Sequence, residues 1–305
     1  MTSSPTTRMP VAEALAGVVV IDKPAGLTSH QVVARLRRVL GLRKIGHAGT
    51  LDPMATGVLV CGIGRGTRLL GHLSGHDKGY AATIRFGITT STDDAEGEIV
   101  QTPGAAGITG DDVVALLPRY RGDIHQIPSS VSAIKVNGKR AYALAREGED
   151  VKLKARAVHI GRFELLEVRT ADQDGVAVLD CDVQVDCSAG TYIRALARDL
   201  GADLGSGGHL TALRRIRSGP FTLDDAVALP EVDDQAPALL GLAEVAARCF
   251  PVVDLTEEQL SWVQHGRAVP SLSLTGISAL CHDGELVALY EPAEEAAVAV
   301  AVFAG

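Results

Sequence analysis

The sequence predicts an α+β fold in which a central, mostly antiparallel sheet is flanked by helices and followed by a small β-rich domain. Residues 176–187 alternate apolar and polar side chains, which is typical of a half-buried antiparallel strand. Residues 29–40 place their apolar side chains at helical spacing, and residues 251–305 contain short strand-like runs around an Asp283-Gly284 turn. The chain of 305 residues is 46% hydrophobic, so it can bury a large core.

Local signals predict the individual elements in order. A buried strand is expected at residues 18–21, followed by a helix that Thr28 or Ser29 caps and Gly41 ends. The arginines of this helix lie opposite its core-facing side chains. Further strands are expected at residues 58–62, 80–86 and 209–216, and further helices at residues 111–117 and 192–204.

Composition divides the chain into a flexible N-terminus at residues 1–16, a main domain at residues 17–230 and a small domain at residues 231–305. The boundary follows from an acidic, proline-bearing linker near residues 230–237. Within the main domain, residues 128–154 form a basic, irregular arm with an Asn137-Gly138 turn signal and a short helix up to Arg146. Such an arm suits binding to a polyanion.

Net charge is distributed unevenly. The whole chain carries a net charge of −8, but residues 231–305 hold 12 acidic residues against Arg248 and Arg267, a net of −10. The remaining 27 bases and 25 acids leave residues 1–230 with a net charge of +2. Three basic clusters lie there: Arg35, Arg37, Arg38, Arg43 and Lys44; Lys135, Lys139, Arg140 and Arg146; Arg214, Arg215 and Arg217. Each is a candidate phosphate-binding patch, and the alternative for each is a solvated face.

Several classes of site and location are disfavoured. The 5 cysteines have no Cys-x-x-Cys pair and no histidine at zinc spacing, so we expect reduced, mostly buried thiols and no metal. No apolar run is long enough to span a membrane and the N-terminus lacks a signal-peptide core, which favours a cytoplasmic protein. The glycines of residues 62–66 do not have dinucleotide-fingerprint spacing.

The stretch Gly46-His47-Ala48-Gly49-Thr50-Leu51-Asp52-Pro53-Met54-Ala55-Thr56-Gly57 is a polar turn that runs into an apolar strand. Its three glycines permit backbone conformations closed to other residues, and Pro53 fixes the chain just after the acid. The Asp52 side chain is therefore expected in one orientation, as a catalytic group requires. The alternative is an Asx turn in which the carboxylate only caps neighbouring amides.

Four motifs in order resemble the bacterial tRNA pseudouridine-55 synthases, the TruB family. They are Asp22-Lys23-Pro24-Ala25-Gly26-Leu27-Thr28-Ser29, the stretch around Asp52, Lys78-Gly79-Tyr80 and Gly190-Thr191-Tyr192-Ile193-Arg194. The resemblance covers about residues 17–223. It implies the pseudouridine-synthase catalytic fold for the main domain and, more loosely, a PUA-like C-terminal domain, whose net charge of −10 is unfavourable for phosphate binding.

The resemblance also implies roles for single residues. The catalytic aspartate falls on Asp52 and its partner arginine on Arg194, a pairing that we also expect because a guanidinium lowers the pKa of a neighbouring carboxyl. The resemblance assigns base stacking to Tyr80 and a second pocket tyrosine to Tyr192. The remaining implied positions are Lys23, which supports the site, His47, which contacts RNA, and Leu213, which packs against the base.

The expected activity is isomerisation of uridine 55 to pseudouridine in the TΨC arm of tRNA, by a monomer without a cofactor. Two alternatives remain: a non-catalytic RNA-binding or chaperone protein, and a glycosidase-like hydrolase, which would need a second carboxylate near Asp52. The segment Ile127-Pro128-Ser129-Ser130-Val131-Ser132 departs from the family pattern, so the resemblance implies no particular geometry for the arm.

Overall fold

The computed structural model describes residues 15–129, 135–136, 139–140, 153–270, 272–294 and 296–303. Their strands, in chain order, are β1 Gly17–Lys23, β2 Ile45–His47, β3 Thr56–Ile63, β4 Lys78–Phe86, β5 Thr89–Thr90, β6 Ile99–Gln101, β7 Gly122–Gln126, β8 Lys135–Val136, β9 Lys139–Arg140, β10 Arg156–Gln173, β11 Val176–Cys187, β12 Gly208–Ser218, β13 Phe221–Thr222, β14 Ala226–Ala228, β15 Val252–Asp254, β16 Ser278–His282, β17 Glu285–Pro292 and β18 Ala297–Val302. The helices are α1 Ser29–Leu40, α2 Leu70–Ser74, α3 Gly110–Leu116, α4 Ile193–Asp203, α5 Leu242–Cys249 and α6 Glu257–Val263. Short 3₁₀ helices span Gly64–Arg68, Leu117–Tyr120 and Leu223–Asp225.

A ten-stranded sheet lies between residues 17 and 228, with the order β14-β1-β3-β12-β4-β11-β10-β7, while β13 pairs with β12 and β2 with β3. The β1–β14 and β3–β12 pairs are parallel and the other pairs are antiparallel. The predicted α+β class with a mostly antiparallel sheet is therefore confirmed.

The predicted capping of the first helix is confirmed at both ends. The Thr28 side chain accepts a hydrogen bond from the Gln31 amide, and the Gln31 side chain accepts one from the Thr28 amide in return. Gly41 ends the helix in the left-handed conformation, at a φ of 63°. Residues 176–187 form β11 with alternating burial, also as predicted.

Both faces of the sheet are buried around β1 and β3. Val19 and Ile21 face a core that includes helix residues such as Leu36, whereas Val18 and Val20 face a second core on the opposite side. The second core includes C-terminal side chains, Val245, Ala246, Leu286, Leu289 and Phe303. A strand buried on both sides explains the uninterrupted apolar run of residues 17–21.

The long strand β10 was not predicted. It pairs with β11 over most of its length but with β7 only from Arg156 to Ile160, so its second half is a sheet edge. Charged side chains such as Glu167 and Arg169 lie exposed there and mask the alternation by which a strand is recognised.

Parts of the predicted arm and N-terminus lie outside the described residues. Short strands β8 and β9 pair antiparallel on either side of the Asn137-Gly138 signal. The Asn137-Gly138 turn itself, the short helix to Arg146 and residues 1–14 are not among the residues described, so those predictions stay predictions.

The C-terminal part contains a four-stranded sheet with the order β15-β16-β17-β18. Asp283 and Gly284 connect β16 to β17 with φ values of 49° and 77°, as expected for the predicted turn. A separate core that includes Tyr290 lies within this part, and Val18 exchanges backbone hydrogen bonds with Leu240 of the connecting segment. The expected β-rich domain is present, while its likeness to PUA domains stays a prediction.

Candidate active site

The loop that carries Asp52 is held by a buried lysine. Lys23 is 0% exposed, and its ammonium donates to the carbonyl oxygens of Pro24, Leu27 and Pro53 at 2.9, 2.5 and 3.1 Å. Three acceptors use all three hydrogens of a protonated amine. Lys23 therefore ties the first motif to the residue that follows Asp52, and it does not line the cavity described below.

Ser29 holds the residue before Asp52. The Leu51 amide donates to Ser29 Oγ at 2.9 Å, and the hydroxyl donates back to the Leu51 carbonyl at 3.1 Å. Since Thr28 caps α1, Ser29 is available for this contact across 22 residues. The sequence reasoning treated Ser29 only as a possible helix cap and missed this role.

Two glycines of the turn have backbone conformations that favour glycine: Gly49 has a φ of 97° and Gly57 a φ of 98°. A Cβ on Gly57 would lie 2.2 Å from the Arg215 carbonyl oxygen. The expectation of a backbone conformation reserved for glycine was wrong for Gly46, which has no positive φ. A side chain is disfavoured there for lack of space, because a Cβ would lie 2.9 Å from Leu70 Cδ1.

Asp52 and Arg194 form an ion pair. Arg194 Nε lies 3.0 Å from Asp52 Oδ2, and the arginine is 5% exposed in the first turn of α4. Its Nη1 also donates to the Thr92 carbonyl at 2.9 Å. The carboxylate thus faces a buried guanidinium, which an Asx turn alone would not require.

A second carboxylate, Asp94, completes this group and was missed. Its Oδ2 lies 3.4 Å from Arg194 Nη1, and the residue is 2% exposed. The Glu96 amide donates to Asp94 Oδ1 at 3.1 Å, which fixes the carboxylate from the other side. The one sequence signal for Asp94 is its place in the acidic run of residues 93–96. Asp94 does not line the cavity, so it is not placed as the second acid of a hydrolase.

Burial has the larger effect on the acidity of Asp52. It raises the pKa of this carboxyl above its ordinary value, the Arg194 guanidinium opposes that rise, and Asp94 adds to it. The sequence-based expectation considered only the lowering by Arg194, whereas removal from water outweighs it. Burial also raises the pKa of the Tyr80 phenol, which therefore stays neutral at ordinary pH.

A cavity of about 260 Å³ opens beside this ion pair. Asp52, Arg194, Tyr80, Tyr192 and Leu213 all line it, so the structure brings together the four predicted catalytic residues and one of the predicted substrate-binding residues. The other lining residues are Gly49, Thr50, Leu51, Ser74, Lys78, Gly190, Thr191, Ile193 and Arg215. One aromatic-walled space next to a carboxylate suits a single flat base.

The backbone of Tyr192 is clamped by a buried amide. Gln126 is 2% exposed; its Oε1 accepts from the Tyr192 amide at 2.8 Å and its Nε2 donates to the Tyr192 carbonyl at 3.0 Å. Tyr192 is the extended residue that precedes α4, two positions before Arg194. Gln126 fixes where α4 begins, and nothing in the local sequence marks it for this role.

Two buried cations, Lys78 and Arg215, also line the cavity. Lys78 Nζ donates to the carbonyls of Ser74 and His76 at 2.9 and 2.7 Å, and burial lowers the pKa of Lys78 to about 8. Arg215 is 1% exposed, and its Nε donates to the Val58 carbonyl at 2.7 Å. Both cations therefore donate hydrogen bonds to backbone carbonyls.

His47 lies outside the cavity lining. Its ring meets the ring of His30 edge to face, with centroids 5.3 Å apart, and burial lowers the pKa of His47. The predicted RNA contact by His47 stays a prediction.

The basic clusters differ in exposure. Arg38, Arg43 and Lys44 are exposed, whereas Arg35 pairs with Glu231 at 2.8 Å. On β12, Arg214 pairs with both carboxylate oxygens of Asp22 at 3.0 and 2.7 Å.

Arg215 requires a correction, because its guanidinium is buried and bonded to carbonyls instead of lying on a phosphate-binding surface. The side chains of Lys135, Lys139 and Arg140 lie outside what the structure describes, so their RNA contacts stay predictions.

Two findings concern other kinds of site. Within the described ranges, no group of three or more histidine, cysteine, aspartate or glutamate side chains is placed to hold a metal ion. In the same ranges, no helix is long and apolar enough to cross a lipid bilayer.

Of the cysteines, Cys61, Cys181, Cys187 and Cys281 are buried thiols and Cys249 is half-buried.

Solved structures share the overall fold of this chain. A box H/ACA ribonucleoprotein bound to a substrate RNA containing 2′-deoxyuridine is 26% identical, with a TM-score of 0.67 over 94% of this chain and 84% of that chain. An archaeal box H/ACA small ribonucleoprotein complex is 27% identical, with a TM-score of 0.67 over 98% and 88%.

Comparison of sequences covers nearly the whole chain. tRNA pseudouridine synthase B of Cutibacterium acnes is 54% identical over 92% of this chain and 94% of the relative. The same-named protein of Mycobacterium tuberculosis is 54% identical over 90% and 91%. Residues 37–193 match the N-terminal domain of TruB family pseudouridylate synthases, and residues 194–240 and 250–304 match C-terminal domains of tRNA pseudouridine synthases. The chain belongs to the TruB family of pseudouridylate synthases.

Proposed function

We propose that this enzyme converts uridine 55 to pseudouridine in the TΨC arm of tRNA. The observation that carries the proposal is the Asp52–Arg194 ion pair, 3.0 Å apart in the wall of a cavity that Tyr80 and Tyr192 also line. The names of the curated relatives, tRNA pseudouridine synthase B, support tRNA as the substrate.

The reaction breaks the bond between ribose C1′ and uracil N1, turns the uracil and rejoins it through C5. Asp52 supplies the nucleophile in its ionised form, whether it attacks ribose C1′ or uracil C6. Arg194 keeps that carboxylate oriented and favours its charge, against burial. The isomerisation is redox-neutral and conserves every atom except the exchanged C5 proton, so this sequence of steps calls for no cofactor.

The target base must leave the RNA stack to reach Asp52. Extrusion costs a few kcal/mol, and stacking on the Tyr80 ring and packing against Leu213 offset that cost. Tyr192 lies in the same cavity wall, where it orients Asp52 or takes part in removing the C5 proton. Lys23 stabilises the loop that carries Asp52 through its hydrogen bond to the Pro53 carbonyl.

The RNA backbone is held by exposed cations. Arg38, Arg43 and Lys44 contact phosphates, together with the basic arm of residues 128–154, and His47 contacts the RNA near the flipped base. The acidic C-terminal part contributes little to phosphate binding, because its net charge is −10. We further propose that the enzyme acts as a monomer in the cytoplasm.

The test of this function maps the product to one nucleotide. A tRNA transcript and its U55C variant are incubated with the enzyme, and each position is assayed for pseudouridine by mass-labelled RNA digestion. We expect one pseudouridine at position 55 in the first transcript and none in the second. Product at another position would refute the assigned site, and no product with well-folded protein would refute tRNA isomerisation.

A further inference from the structure

The buried guanidinium of Arg215 connects parts of the site that are distant in sequence. Its Nη2 donates to the Gly49 carbonyl at 3.1 Å and its Nη1 approaches the Thr50 carbonyl at 3.5 Å, both in the loop that carries Asp52. Its Nε donates to Val58 on β3 at 2.7 Å. One rigid fork therefore holds the start of the catalytic loop against the strand that follows it.

The same side chain acts on the base-stacking ring. Arg215 and Tyr80 are directly paired residues of β12 and β4, and the Arg215 charge opposes the rise in the Tyr80 pKa that burial causes. A Cβ placed on Gly49 would lie 3.6 Å from Arg215 Nη1, which shows how closely the loop packs against the guanidinium. Arg215 thus lies between Tyr80 and the loop.

We propose that Arg215 is a positioning residue that sets the separation between the Asp52 loop and the Tyr80 ring. The inference rests on the proposed function for the roles of Asp52 and Tyr80. A base stacked on Tyr80 reaches Asp52 only if the loop and the ring keep a fixed distance, and a displacement of about 1 Å lowers a rate by about 10²-fold. Lysine cannot replace arginine here, because its hydrogens all lie on one nitrogen, whereas the Gly49, Thr50 and Val58 carbonyls are met by three separate nitrogens of the planar guanidinium.

Two variants test the proposal. Arg215→Lys keeps the charge, and Arg215→Met removes it and leaves the carbonyls of Gly49, Thr50 and Val58 without their donor. The matched control is Phe163→Leu, a fully buried core change on β10. It lowers stability without touching the cavity, so it separates loss of folding from loss of positioning.

The first measurement is amide hydrogen exchange of residues 48–56 in the four proteins. We expect exchange in this loop to rise at least tenfold in Arg215→Lys and further in Arg215→Met, with Phe163→Leu within twofold of the wild type after correction for global unfolding. Loop exchange at the wild-type rate in Arg215→Lys would overturn the proposal, whatever the enzyme's substrate proves to be.

The second measurement is the single-turnover rate per folded molecule alongside the Kd for tRNA. Arg215→Lys should lose about 10²-fold in rate while its Kd changes less than threefold, because positioning acts after binding. A rate within twofold of the wild type would overturn the proposal. A wild type that forms no pseudouridine would instead refute the proposed function, and loop exchange would then decide the Arg215 proposal alone.

Discussion

Two groups of charged side chains at the cavity are buried in opposite ways. In one group Arg194 lies between two carboxylates, Asp52 and Asp94, at 3.0 and 3.4 Å. In the other, Lys78 and Arg215 are bonded to backbone carbonyls. A charge paired with a charge can hold a reactive carboxylate in its ionised form, whereas a cation bonded to carbonyls mainly fixes the path of the chain. We call Asp52, Asp94 and Arg194 the reactive wall, and we call Lys78 and Arg215 the supporting wall.

Removing the charge of Asp52 should have the largest effect, because it removes the nucleophile from the reactive wall. Asp52→Asn keeps the shape of the side chain but leaves a poor nucleophile, so we expect turnover to fall by about 10⁴-fold or more. Single-turnover assays with excess enzyme measure this, and gel-shift titration should give an unchanged Kd for tRNA. RNA remodelling that is unchanged in Asp52→Asn, with no pseudouridine formed by either protein, would favour the non-catalytic RNA-binding alternative. Unchanged product formation would refute the role of Asp52 as nucleophile.

Crowding the supporting wall should act on stability. Gly57→Ala places a methyl group 2.2 Å from the Arg215 carbonyl at a φ of 98°, so we expect the free energy of unfolding to fall by about 3 kcal/mol or more. Gly26→Ala is the control, since Gly26 has a φ of 82° and no neighbouring atom within 4 Å; backbone strain alone should cost about 1 kcal/mol there. Chemical denaturation measures both, and equal losses would show that the contact with β12 is unimportant.

Neutralising Asp94 should weaken the reactive wall without abolishing it. Asp94→Asn removes one of the two carboxylates between which Arg194 lies, and we expect the single-turnover rate to fall by about 10²-fold at unchanged tRNA affinity. The control is Asp93→Asn, because Asp93 pairs with Arg198 and asparagine tolerates its φ of 59°. A similar loss in the two variants would mean that the whole segment, and not the Arg194 contact, matters.

The pH dependence should show the titration of Asp52 and of two buried lysines. Since burial raises the pKa of Asp52, the rate should fall on acidification at a pH above the usual titration of an aspartate. Burial lowers the pKa of Lys23 and Lys78 to about 8, so the rate should fall by up to about tenfold as these amines lose the protons that they donate.

Stability should change in the opposite direction over the alkaline range. Between about pH 8 and the ordinary lysine pKa of 10.5, the unfolded chain binds more protons than the folded one, so these two lysines make unfolding less favourable as pH rises. Single-turnover rates and denaturation from pH 5 to 10 test both signs. A rate and a stability that fall together would assign the alkaline loss to unfolding.

The smallest effects should come from the exposed cations. Arg38→Ala and Arg43→Ala should each raise the Kd for tRNA several-fold and reduce the slope of log K against log salt by about one, with the rate of bound substrate unchanged. Arg169→Ala is the control, because Arg169 pairs with Asp182 on the edge of the sheet. Identical salt slopes in all four proteins would exclude α1 and its following loop from the RNA interface.

Local chemistry explains what the sequence could predict. Thr28 and Gly41 mark the two ends of α1, and the alternation of apolar and polar residues marks β11. Both signals lie within a few residues of the element that they predict. Ser29, Asp94 and Gln126 were missed because their roles depend on partners 22, 100 and 66 positions away. Arg214 and Arg215 looked equivalent in sequence, but neighbours on a strand point to opposite faces, so one pairs with Asp22 and the other is buried.

The central claim is that the Asp52 carboxylate and the Tyr80 ring enclose a flipped uridine 55. A structure of Asp52→Asn bound to a T-arm stem-loop tests it most directly. The account predicts the uracil outside the stem, stacked on Tyr80 and beside residue 52 and Arg194, with Leu213 against its edge. A stem-loop bound with uridine 55 still stacked in the RNA, or with its base away from this cavity, would contradict the account.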